Sequence, residues 1–336
     1  MNYCFDRIME SLPEVSISAV IPSYNRAHKV CHAIHSVLAQ STVPDEIIVV
    51  DDGSSDQTER VIRELFGDRI KVIVHEQNQG IAAARRTGFQ SAKGDWIAYL
   101  DSDDSWPVDA IRNLKNALSC CDQRTVVAFG DMLILSGKDA ERSHFATTGH
   151  LLDGPVSSID SRKLVFPVMY PYFQSSLIRK SALQEVNVFE EGLRIGEDSL
   201  AFAQLSSCGH FVVIPEVTCL HDRTGDDALS LHVDEIANPD FPKSRILMIR
   251  AFNAKGRIPF MRREYAGWVR AWIRRRRETG LETTITDLMD QFRYHVSFKS
   301  LCFFVLSMTR NYFTSPRQKR RMAVTVADSE DCDLML

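Results

Sequence analysis

The 336-residue chain contains no run approaching the ~18 consecutive apolar residues that a membrane-spanning helix needs. Its longest apolar candidate, Leu301–Met308 (LCFFVLSM), is far too short, so an integral membrane protein is not expected. The opening MNYCFDRIMESLPEVS lacks the basic start and apolar stretch of a secretory leader. The 8 cysteines show no C-x-x-C spacing, and a chain of this size needs no disulfide framework. A reducing, cytoplasmic setting is therefore the expectation. Internal repeats and low-complexity linkers are also missing, which leaves neither a solenoid nor a beads-on-a-string protein to consider.

What remains is an ordinary globular composition, 44% hydrophobic and 25% charged, with room for one large domain or two moderate ones. The net charge of −4 conceals a division. Between Lys243 and Arg321 there are 19 Lys and Arg against 5 Asp and Glu, which leaves 21 against 39 elsewhere. An acidic body with a basic tail points to an anionic partner for the tail.

Along the first third, short apolar runs alternate with amphipathic segments. Ser16–Ile21 (SISAVI) predicts a strand and PSYNR a loop. Helical spacing of Val30, Ala33, Ile34, Val37 and Leu38 predicts a helix over Lys29–Ala39. Ile47–Val50 is a continuous apolar run of the sort that is buried on both faces of a parallel sheet. A helix carrying Val61, Ile62, Leu65 and Phe66 follows, capped by Ser54, Ser55 or Asp56. KVIVHE, GIAAARRTGFQSAKG and WIAYLD read as strand, helix and strand. The alternation predicts an α/β domain with a mostly parallel central sheet flanked by helices. Further on, VVAFGDMLIL reads as a strand, FPVMYPYFQSSLIRKSALQEV as loop and helix, GEDSLAFAQLSSCG as a helix entered through acids, and FVVIPEVTCLH as a strand pair. Segments from Phe241 onward look helical and basic.

Three polar clusters, PSYNR, DDGSSD and DSDD, fall at the carboxyl ends of predicted strands, where such sheets bind ligands. In LDSDD, three acids crowd together and must raise one another's pKa unless a cation or hydrogen-bond donors hold them. Asp101 and Asp103 lie two residues apart and can face the same side of an extended turn. Their hard oxygens suit Mn²⁺ or Mg²⁺, whose remaining ligands come from water and a substrate's phosphates.

The ordered segments SAVIPSYNR, IIVVDDGSSDQT, NQGIAAARRTGFQSAKGDWIAYLDSDD and FEEGLRIGEDSLAF resemble the family 2 inverting glycosyltransferases of GT-A fold. The similarity runs from about Ser16 to Ser230. It implies a nucleotide-sugar half at 16–120 and an acceptor-binding, catalytic half at 121–235, between an N-terminal extension (1–15) and a basic, mainly helical C-terminal extension (236–336). It also implies a donor, by resemblance a UDP-sugar, and a glycan or lipid-linked glycan acceptor.

By that resemblance Tyr24 packs on the nucleotide base with Pro22 shaping the loop, and Arg26 and Gly80 join the nucleotide-sugar set. Asp52 takes hydrogen bonds from base or ribose, Asp101 lies on the ribose side, and Asp103, with Asp101, holds the metal. Arg85 matches the family arginine that can reach the nucleotide, whereas Arg86 stands where the family usually has Asn. Asp198 matches the general base, with Glu197 in reserve. The competing account of GED is a helix start whose acids are favoured by the dipole.

A processive synthase is disfavoured, because Q-x-x-R-W is missing. A haloacid-dehalogenase phosphatase also ends strands in D-x-D and DD, but here in the wrong order. A non-catalytic nucleotide-sugar-binding or membrane-docking module is the third reading. Cys208-x-His210 and Cys219-x-His221 could attract zinc, but their spacing fits no common zinc motif. His221 also matches a loop position that closes over the diphosphate in the family. In 261–277, Met261, Tyr265, Trp268 and Trp272 share one helical face and Arg263, Arg270, Arg274 and Arg277 the other. Two readings stand: a helix lying on an anionic membrane surface, or one docked on the catalytic domain. No recognised nucleic-acid motif is present.

Overall fold

A computed structural model describes residues 15–119, 121–136, 139–147, 157–159, 171–186, 189, 196–223 and 247. Among these, nine strands form one sheet in the order β3-β2-β1-β4-β8-β5-β9-β7, with β6 paired to β5. The strands are β1 (Ile17–Ser23), β2 (Glu46–Asp51), β3 (Lys71–Val74), β4 (Trp96–Tyr99), β5 (Thr125–Ser136), β6 (Asp139–Ser143), β7 (Ser157–Ile159), β8 (Ser176–Arg179) and β9 (His210–Asp222). The helices are α1 (Val30–Leu38), α2 (Thr58–Phe66), α3 (Ile81–Ser91), α4 (Ala110–Ser119), α5 (His144–Thr147), α6 (Lys180–Glu185) and α7 (Glu197–Leu205).

The first four strands are parallel, as their spacing predicts. Beyond them the sheet is mixed. β8 runs antiparallel to both β4 and β5, whereas β5 and β9 are parallel. FVVIPEVTCLH proves to be one strand rather than two, because a bulge absorbs Pro215. The register steps from Phe129↔Val213 to Asp131↔Val217, leaving two extra residues on β9. Pro22 lies inside β1, not in the following loop. It is tolerated there because β4 pairs β1 only as far as Val20, so at Pro22 only the β2 side is laddered.

Both sheet faces are covered, which is why the strands read as unbroken apolar runs. On one face Ile17, Ala19, Ile21, Ile47 and Val49 pack with residues of α1, α2 and α4. On the other, Val20, Ile48, Val50, Ile97 and Tyr99 pack with Ala84 of α3, Ala182 and Leu183 of α6, and Phe202 of α7. α3 lies especially close to β1. A Cβ built on Gly88 would stand 2.2 Å from Cγ1 of Val20. Gly88→Ala should therefore lower stability by ~1–3 kcal/mol, read as a shift in urea midpoint with unchanged slope. The expectations for 1–14, 236–246 and 248–336, the basic segment 261–277 included, lie outside the described residues.

Candidate active site

The loops after β1 and β2 are stitched to each other. Asn25, in a left-handed conformation (φ 51°), donates its backbone N–H to Ser54 Oγ (2.8 Å) and accepts at Oδ1 from Ser55 N (2.8 Å). Arg26 N donates to Thr58 Oγ1 at 3.0 Å. With its backbone pinned on both sides, Tyr24 keeps its side chain outward, 44% exposed. An exposed ring on a fixed stalk is suited to stacking rather than to core packing.

Asp52 is turned inward. Its Oδ1 accepts from Gln79 N (3.0 Å) and meets His75 Nδ1 (2.6 Å), while Oδ2 accepts from Gly80 N (2.7 Å). The ring of His75 continues to Thr87 Oγ1 at 2.9 Å. With its side chain only 4% exposed, Asp52 shapes the Gln79–Gly80 turn. Gly80 thus enters the site as the backbone that Asp52 holds.

At the end of β4 the three acids go separate ways. Asp101 Oδ1 accepts from Arg85 Nη2 (2.9 Å) and Oδ2 from the amide of Gln174. Asp103 is partly exposed and lies 3.7 Å from Arg26 Nη2. Burial pushes its pKa up, Asp101 adds to this and Arg26 opposes it. Asp104 is buried and accepts at Oδ1 from Asp222 N (3.1 Å) beside His221 Nδ1 (2.9 Å). Burial raises the pKa of Asp104, and His221 holds it back. For His221 burial pulls downward, but the Asp104 carboxylate outweighs it and the pKa ends above its ordinary value. The end of β9 is thereby latched to the acidic loop.

The zinc pattern dissolves in this arrangement, since His210 lies 3.7 Å from Asp122 while His221 serves Asp104. Among the described residues no three His, Cys, Asp or Glu side chains gather as a metal cage. Mn²⁺ or Mg²⁺ needs none when phosphates and water complete its shell. The residues present fit such an ion. Asp103 is partly open, and each Asp101 oxygen retains a lone pair beyond its single hydrogen bond. Beside them the Oδ2 atom of Asp104 is buried without a partner.

α7 begins after Gly196, whose positive φ (78°) lets the chain turn sharply into Glu197 and Asp198. Both carboxylates accept from Arg85 Nη1, at 3.2 and 3.1 Å. The guanidinium lies 4.7 Å from the centre of the Phe173 ring and is 2% exposed. Arg85, expected by resemblance to reach the nucleotide, here donates through Nη1 and Nη2 to three carboxylates. Burial pushes the Asp198 carboxyl up, to about 8, against Arg85 and with help from Glu197 and Asp101. Arg86, by contrast, is half-buried. Sequence reasoning missed the roles of Phe173, Gln174, His75 and Asp104. Of these only Asp104 carried a signal, standing in the acidic run LDSDD.

Residues 18–186 match the family model for glycosyl transferase family 2. The succinoglycan biosynthesis protein ExoO of Rhizobium meliloti (strain 1021) is 31% identical over 236 residues, which are 68% of this chain and 66% of that protein. The Escherichia coli protein WfgD, a UDP-Glc:alpha-D-GlcNAc-diphosphoundecaprenol beta-1,3-glucosyltransferase, is 43% identical over 108 residues, 31% of this chain and 43% of its own. The chain thus spans two thirds or less of these relatives. The crystal structure of S. aureus TarS 1-349 in complex with UDP-GlcNAc superposes with a TM-score of 0.64 at 17% identity, covering 87% of this chain and 81% of that one. That likeness carries the GT-A fold. With acids gathered at the strand ends of that fold and the family model spanning β1 to α6, this chain belongs to glycosyl transferase family 2.

Proposed function

We propose that the chain transfers one sugar from a nucleotide-diphosphate sugar, a UDP-sugar, to a glycan or lipid-linked glycan, with inversion. The observation that carries this is the shared guanidinium: Arg85 holds donor-side Asp101 and the helix start bearing Asp198 at one point. In this reading Tyr24 stacks on the base, Asp52 and Gly80 frame the turn beside it, and Asp101 faces the ribose. Asp198 takes the proton of the acceptor hydroxyl while that oxygen attacks the anomeric carbon and the bond to the diphosphate breaks from the opposite face. Mn²⁺ or Mg²⁺ held by Asp103, with Asp101, would offset the charge left on the diphosphate. Glu197 shares Arg85 with the base and is the reserve proton acceptor.

Residues 16–120 form the donor half and 121–235 the acceptor half. The UDP-glucose and diphosphoundecaprenol in the name of WfgD support the donor and acceptor classes. No helix among the described residues is long and apolar enough to cross a membrane. A lipid-linked acceptor then fits an enzyme on the cytoplasmic face, drawn to anionic lipid through 261–277, and nucleic acid has no part in it.

A calorimetric panel of UDP, GDP and CDP, each with and without Mn²⁺, tests the donor site. Tight binding of UDP alone, dependent on Mn²⁺, is expected. No binding to any of them with metal present would sink the proposal.

A further inference from the structure

Arg85 sits where three distant segments meet. Ala84 and Gly88 pack α3 onto β1 beside Val20, which places Arg85 over the C-terminal end of the sheet. Nη2 takes Asp101 after β4, and Nη1 takes both Glu197 and Asp198 at the start of α7. The face of Phe173 fixes the plane of the guanidinium, and the neighbouring Gln174 holds the other oxygen of Asp101. Nε is buried with no hydrogen-bond partner. A pair built only for stability would satisfy that donor. Here the fork is aimed so that its two ends reach donor-side and acceptor-side acids.

We infer that Arg85 is a positioning residue that ties donor-side Asp101 to the base Asp198, so that occupation of the donor site and placement of the base share one rigid joint. This rests on Asp198 being the base. Lysine cannot reproduce the joint, since it offers a point charge without a fork.

The test uses the full chain and its Arg85→Lys, Phe173→Leu and Asp198→Asn variants. Nucleotide release from UDP-glucose, UDP-N-acetylglucosamine and GDP-mannose gives kcat and KM, and calorimetry gives the affinity for UDP with Mn²⁺. In Arg85→Lys, kcat should fall by about 10²-fold while KM and UDP affinity stay within about threefold. An unchanged kcat, or a tenfold loss of UDP affinity at constant kcat, overturns the inference. Should circular dichroism show Arg85→Lys unfolded, Phe173→Leu decides. It keeps the arginine and removes its ring, and it should lower kcat by about tenfold with the same KM. Unchanged turnover there overturns the inference as well. Asp198→Asn separates the two failures. If it turns over like the wild type, the base assignment falls. If it is impaired while Arg85→Lys turns over like the wild type, only the positioning role falls.

Discussion

Asp198→Asn should lose on the order of 10²–10⁴ in kcat while binding UDP and Mn²⁺ as the parent does. Asparagine keeps an acceptor for Arg85 Nη1 but cannot take the acceptor's proton. The pH profile supplies a second signature. Burial raises the Asp198 carboxyl to about 8, so the wild-type rate should climb with pH through that value as the base ionises. The residual rate of Asp198→Asn should lack this limb.

Stability should move in the opposite sense. A carboxyl whose pKa is ~3.9 unfolded and higher when folded contributes its stabilisation fully below pH ~4, and loses it as pH rises through the folded value. At pH 8 the wild-type acid is fully ionised when unfolded but only about half ionised in the fold, a penalty the variant does not carry. Asp198→Asn should melt higher at pH 8, by about 2–4 °C for each kcal/mol relieved, and not at pH 4. Lower activity with unchanged melting at both pH values would mean that Asp198 is an ordinary solvated acid.

Asp103→Ala is the second large effect. The two other acids of the cluster are committed to protein partners, Asp101 to Arg85 and Gln174, Asp104 to His221 and Asp222 N. Asp103 makes no such close contact with Arg26, which lies 3.7 Å away, and its charge is offset by Arg26 and His221. The Mn²⁺-dependent part of UDP binding should vanish in the variant, with residual affinity insensitive to metal. The fold should hold or gain slightly, because burial already disfavours this charge. Calorimetry with and without Mn²⁺ reads the difference. Retained metal-dependent binding would move the ion to other residues.

How much of this was legible beforehand depended on the range of the interaction involved. Ile47–Val50 and Trp96–Tyr99 announce buried parallel strands because burial on both faces removes polar alternation, a purely local signal. β8 carries no such signal. SLIR is four residues long, leads directly into α6, and is a strand only because β4 and β5 lie on either side of it. Pro215 looked like a break between two strands, since nothing in the sequence shows that β5 accommodates a bulge opposite it.

The site divides in the same way. DDGSSD and LDSDD stood out because acids after apolar runs are locally odd. The inward turn of Asp52 was hidden, since its partners Gln79 and Gly80 lie 27 and 28 residues away. The partners of Arg85 were more remote still, 112 and 113 residues distant in the case of the two α7 acids.

The insertion of β8 between β4 and β5 also sets an order of events during synthesis. β4 ends at Tyr99 and its neighbour begins at Ser176. At about 5–20 residues per second the ribosome needs roughly 4–15 s to bridge that interval. Throughout it, the nascent parallel half carries an unpaired edge of Trp96, Ile97, Ala98 and Tyr99, an apolar template for misassociation. The strand that closes this edge follows directly on Phe173 and Gln174, so edge protection arrives with the ring that lies against Arg85 and the amide that holds Asp101. A newborn chain is thus exposed to chaperones and to its own copies until β8 is made, and it can become competent only later, once the helix bearing Asp198 follows.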